Sequence, residues 1–196
     1  MKHLILLLIL SLFEPSTANA QATNDMPDTH KLGMALDYFA GGKYHEALMM
    51  FLKIDKKYKL NPRFKAYIGV CYYHEWEYEE ACKYLDEAIP ELDAFAKSER
   101  NVYYNVAAES HFELKEYDEA IPLYEKQLLV CHDNEKGDVF YRLGFCYMFK
   151  EKWQNAADYF RASLAYYERF PRPDVSSRIS QLGAMINGCE SQAKLQ

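Results

Sequence analysis

After residue 28, apolar residues recur three and four positions apart through most of the chain, the spacing of amphipathic helices. A finer pattern repeats four times along this run. A small residue is followed three positions on by a large one. An aromatic then opens a second stretch, and an alanine three positions later is followed by a bulky residue. The four registers are Ala35, Tyr38, Tyr44, Ala47, Phe51; Gly69, Tyr72, Tyr78, Ala81, Leu85; Ala108, His111, Tyr117, Ala120, Tyr124; and Gly144, Tyr147, Trp153, Ala156, Phe160. On two antiparallel helices, Gly or Ala at the contact lets the backbones approach while the rings seal the flanks. Breakers punctuate the pattern at Gly41-Gly42, Asn61-Pro62, Pro90 and Pro171-Arg172-Pro173. The predicted helix pairs are therefore 28–39 with 44–58, 63–75 with 78–89, 98–114 with 118–130, and 138–149 with 153–168. Pro122 falls near a first helical turn, where few intrahelical donors are lost.

The opening aromatics stand 34, 39 and 36 residues apart, from Tyr44 to Tyr78, Tyr117 and Trp153. A period near 34 marks helical-hairpin repeats, and the chain resembles the tetratricopeptide repeat family over roughly residues 28–170. The resemblance implies an all-α, right-handed solenoid of four helix-turn-helix repeats, at about 28–61, 62–95, 101–134 and 137–170. The surplus residues after the second hairpin, which include Leu92 and Phe95, are expected to lengthen a helix. Beyond Pro173, Val175, Ile179, Leu182, Ile186 and Cys189 recur at helical spacing, with Asp174 placed to cap them. This segment, 174–193, is expected to cover the apolar flank of the last hairpin, as terminal repeats do.

The first twenty residues follow a different rule. Lys2 precedes an apolar run from Leu4 to Phe13, Pro15 breaks it, and Ala18-Asn19-Ala20 offers a cleavage site. That is the layout of a secretory signal peptide, with 21–27 as a flexible lead-in. Its compact form suits a bacterial envelope protein released into the periplasm, with no membrane span after cleavage. The net charge of −6 argues against a nucleic-acid binder. The five cysteines are odd in number and match no disulfide or zinc spacing, so most are expected to be packing residues.

No catalytic motif stands out. His74-Glu75 lacks the second histidine of a zinc-protease helix, and Cys131-His132-Asp133 cannot converge as neighbours in sequence. The chain is expected to be no enzyme, with no cofactor and no metal site. Solenoids act through their concave surface. In the family it resembles, the first helix of each hairpin lines that surface. Here it would present Leu32, Leu36 and Phe39; Arg63, Val70, Tyr73 and His74; Asn105, Glu109, Phe112 and Glu113; and Tyr141, Phe145, Met148 and Phe149. Some family members hold a C-terminal carboxylate there with Lys, Arg and Asn. Arg63 and Asn105 are the comparable residues here, and the acidic Glu109 and Glu113 beside them work against such a clamp. The face reads as apolar and aromatic, suited to a protein or peptide segment of unknown identity. Two alternatives stand beside it: a small-molecule or glycan site around Tyr73, His74, Asn105 and Glu109, and self-assembly through the terminal helix. The oligomeric state stays open.

Overall fold

The computed structural model describes residues 27–196; the expected signal segment, and the lead-in up to residue 26, lie outside them. Nine α-helices follow in order among the described residues. The first hairpin is α1 (Asp28–Ala40) with α2 (Tyr44–Tyr58), and the second α3 (Pro62–His74) with α4 (Tyr78–Ala88). The third is α5 (Lys97–Glu113) with α6 (Tyr117–Leu128), the fourth α7 (Lys136–Phe149) with α8 (Trp153–Arg169), and α9 (Ser176–Ala193) closes the array. Each helix packs on its neighbours in sequence, which makes a right-handed solenoid. No described helix is long and apolar enough to cross a membrane.

Close approach inside the hairpins follows from the small residues. A Cβ built on Gly69 would lie 2.6 Å from Leu85 Cγ and 3.2 Å from the Ala81 carbonyl, and one on Gly144 would lie 2.4 Å from the Phe160 ring. Three apolar clusters form one continuous core, because Phe39, Tyr44, Tyr67 and Tyr72 belong to both the first and the middle, and Tyr147 to both the middle and the last. The rings therefore weld one repeat to the next, and no hairpin buries its apolar face alone.

All four hairpins turn in the same way. The residue two before each second helix is left-handed: Gly42 at φ 71°, Trp76 at 67°, Lys115 at 63° and Glu151 at 57°. Glycine adopts this conformation freely, whereas other residues pay about 1–2 kcal/mol. Only the first turn uses it.

Two local expectations give way. The surplus after α4 is not extra α-helix but a short 3-10 turn, Ile89–Glu91, followed by a loop. Pro90 cannot supply a helical donor, while Leu92, fully buried, pins the loop to the core. Asp174 caps nothing: it lies inside a 3-10 turn, Pro173–Val175, and pairs with Arg172 at 3.3 Å. By contrast, the Asn61 side chain accepts from Phe64 N–H at 3.3 Å and starts α3 at Pro62.

Val175, Leu182, Ile186 and Cys189 of the terminal segment share one cluster with Ala156, Ala157, Phe160 and Tyr167 of α8. All five cysteines are free thiols, and Cys71 and Cys146 are fully buried. Burial pushes both of those thiols up to about 12, so they are inert packing groups.

Candidate peptide-binding trough

A concavity of about 740 Å³ is bounded by α3, α5, α6 and α7, and closed at one end by residues beyond the repeats. Tyr73, Asn105, Glu109 and Tyr141, expected on this face, line it. So do Asn101, Gln127, Glu135, Asp138, Arg142, Arg172 and Arg178. The lining is thus dominated by amides and charges, where an apolar and aromatic surface was expected. A second concavity of about 370 Å³ shares Tyr73, Glu109 and Arg142 with the first and adds His74, Trp76, Tyr78 and Glu113. The shared residues make the two one trough.

At its centre Arg142 Nη2 lies 2.6 Å from Glu109, whose side chain is 10% exposed. Tyr124 Oη donates to the same carboxylate at 2.7 Å. Burial works against the charge of Arg142, but Glu109 outweighs it and raises its pKa. The guanidinium also lies over the Phe112 ring, 4.8 Å from the centroid, so ion pair and aromatic brace one another. Towards the C-terminal end, Asp138 gathers Arg178 at 2.6 Å, Arg172 and the Tyr167 hydroxyl at 2.9 Å.

Two amides are left incomplete. Asn101 Nδ2 donates to Glu135 Oε2 at 3.2 Å, which fixes its orientation and leaves Oδ1 buried without a partner. Gln127, 5% exposed, likewise has a buried Oε1 with no partner. A buried acceptor without a donor costs about 1–3 kcal/mol, and both oxygens belong to residues that line the concavity.

Several expected residues sit elsewhere. Val70 is 3% exposed and belongs to the core, because the neighbouring repeat packs on that face of α3. Leu32, Leu36 and Phe39 pack in the first cluster, with the Phe39 ring 4.6 Å from that of Tyr67. Arg63 is held by Glu99 through two 2.7 Å hydrogen bonds. Phe145 meets Phe160 edge-on at 5.4 Å and Tyr141 at 4.9 Å, and Met148 joins the same cluster. Phe112 packs on Tyr117 and on Phe149, which is itself half exposed. His74, by contrast, lines the second concavity; it stacks on Tyr44 at 3.8 Å, and burial lowers its pKa.

Trp76 was not expected at all. It is 78% exposed, lines the trough, and occupies a left-handed position where the first hairpin has glycine. Lys115 and Glu151 share that conformation, so it belongs to the repeat's turn, and what sets this turn apart is the exposed indole. Asn101 was visible in principle, one helical turn before Asn105 on the same face.

No curated protein matches this sequence significantly. Among solved structures, MamA from AMB-1 matches with a TM-score of 0.61 at 15% identity, covering 84% of this chain and 92% of that one. MamA from MSR-1 matches at 0.59 and 14%, covering 85% and 97%. MamA from Desulfovibrio magneticus RS-1 matches at 0.57 and 13%, covering 86% and 96%. Likeness at such identities speaks for the fold. Sequence models described as tetratricopeptide repeat match residues 32–99, 108–137 and 138–169, which together take up more than half of the chain. With the four hairpins, the αL turns and the concave trough, the chain belongs to the tetratricopeptide repeat family.

Proposed function

We propose that this protein is a non-catalytic scaffold of the cell envelope that holds an extended segment of a partner protein in the trough. The observation that carries the reading is a concavity lined by amides and paired charges, with Asn101, Asn105 and Gln127 among them. Carboxamides offer a donor and an acceptor each, so Asn101, Asn105 and Gln127 can match the N–H and C=O groups of an extended backbone. Trp76 and the half-exposed Phe149 offer apolar anchors for side chains of the same segment. The rigid array keeps the ordering cost on the receptor side low. Export rests on the N-terminal Lys2-to-Ala20 pattern alone.

Trp76→Gly separates function from folding. The substitution relieves the left-handed strain at the cost of a more flexible unfolded chain, a net gain of about 0.5–1 kcal/mol. Loss of an interface tryptophan weakens affinity for the bound segment by about 30-fold. Isothermal titration and thermal melts on the same sample check both. Unchanged affinity contradicts the reading.

A second reading has one observation in its favour: convergent polar groups around a volume in the range of small-molecule sites, which suits a glycan or another polar ligand. A purified chain that binds such a ligand through Arg142 and Asn105, and leaves peptides alone, would establish it.

A further inference from the structure

The four repeats serve as controls for one another, and one junction departs from the rest. In the second and fourth hairpins the repeated ring stacks on a tyrosine of the following helix: Tyr72 on Tyr84 at 5.6 Å, and Tyr147 on Tyr159 at 5.1 Å. In the third hairpin the same two places hold His111 and Leu123. His111 is 5% exposed, yet its surroundings are not apolar. Its Nδ1 lies 2.8 Å from Glu116 Oε2 and its Nε2 3.2 Å from Asp86 Oδ2. Donor atoms of Cys82, His111 and Glu116 all lie within 4.8 Å of one another. Cys82 stands where the other repeats have Leu48, Ile121 and Ala157.

We propose that Cys82, His111 and Glu116 form a binding site for a divalent transition-metal ion of the zinc class. Nδ1 of His111, the Cys82 thiolate and a Glu116 oxygen are the protein ligands, and water completes the set from the solvent side. Asp86, on the opposite ring nitrogen, accepts the Nε2 proton and fixes the tautomer, as a carboxylate behind a metal-bound histidine does. Sulfur, imidazole and a single carboxylate suit zinc and its neighbours rather than magnesium or calcium. The burial is graded in the required way: Cys82 is 6% exposed and the His111 side chain 6%, while Glu116 and Asp86 are 49% and 51% exposed. The inner ligands are fixed by helices and the outer one is free to move. Tetrahedral zinc places its ligand atoms about 3.3–3.8 Å apart, so the 2.8 Å contact of His111 with Glu116 must open by about 0.5 Å and any wider pair, none beyond 4.8 Å, must close by about 1 Å at most, both within reach of the exposed Glu116 side chain. On binding, the Cys82 thiol proton and the His111 Nδ1 proton pass to bulk water. The three ligands come from α4, from the last turn of α5 and from the residue before α6, so the ion would clamp the second repeat to the third.

Cobalt(II) titration of the reduced, metal-free chain tests the site. The expected result is a thiolate-to-cobalt charge-transfer band in the near ultraviolet that saturates at one ion per chain and is displaced by zinc. Cys82→Ser removes the band and weakens zinc binding about 100-fold or more. His111→Tyr does the same while restoring the residue that the other three repeats carry, so its circular dichroism and melting remain those of a folded solenoid. No band in the native chain overturns the proposal. So does a band that persists in both variants, which would place the sulfur elsewhere, for instance at Cys131 beside His132.

Discussion

Gly144→Val is expected to lower the unfolding free energy by about 3 kcal/mol, at the upper end for overpacking, and the melting temperature by about 6–12 °C. The first added carbon would sit 2.4 Å from the Phe160 ring. That ring is fully buried and held edge-on by Phe145 at 5.4 Å and Tyr141 at 6.1 Å, so it has no free rotamer into which to move. Helices α7 and α8 must therefore separate. Gly183→Ala is the control. Gly183 occupies the corresponding place in α9, but nothing lies within 4 Å of a Cβ there. Because alanine is the better helix former by about 1 kcal/mol, this variant is expected to be neutral or more stable. Similar losses at both positions, by thermal or urea unfolding, would show that contact geometry does not govern the repeat.

Arg142→Ala is expected to cost about 2 kcal/mol and to abolish binding in the trough. Removing one partner of a buried pair typically costs 3–5 kcal/mol. Here the figure is discounted because the Arg142 side chain is 36% exposed and already partly hydrated. What remains is the carboxylate of Glu109, buried and left with the Tyr124 hydroxyl alone. Combining Arg142→Met with Glu109→Gln removes both charges and keeps the volume, and is expected to recover most of the stability without recovering binding. If the double variant were no more stable than the Arg142→Met single variant, the two charges would not be coupled.

The fold was legible because it is written four times. Gly69 and Gly144 announced close contacts that the structure places against Leu85 and Phe160, and the rings between repeats form the continuous core. Spacing alone conveyed this, since each repeat obeys the same packing rule. The trough was less legible, for two physical reasons. Helical periodicity tells which residues share a face but not which of them a neighbouring helix will cover. So Val70 fell into the core, while Phe145 folded down onto Phe160. What they left uncovered was polar. The groups that close the trough also come from outside the repeat pattern: Arg172 from the segment after Pro171, and Arg178 from α9. Trp76 escaped notice because it lies in a turn, where the hydrophobic pattern is silent and only the exposure of the indole betrays it.

Site-specific photo-crosslinking in cells tests the trough most directly. Val102 lines the larger concavity and is 48% exposed, so it accepts a photoreactive side chain. Glu119, exposed on α6 outside both concavities, is the reference position. A trough that holds a partner segment gives a discrete protein adduct from position 102, none from position 119, and a weaker adduct when Trp76→Gly is present. Equal adducts from both positions, or none from position 102 in cells that contain the folded protein, would contradict the account.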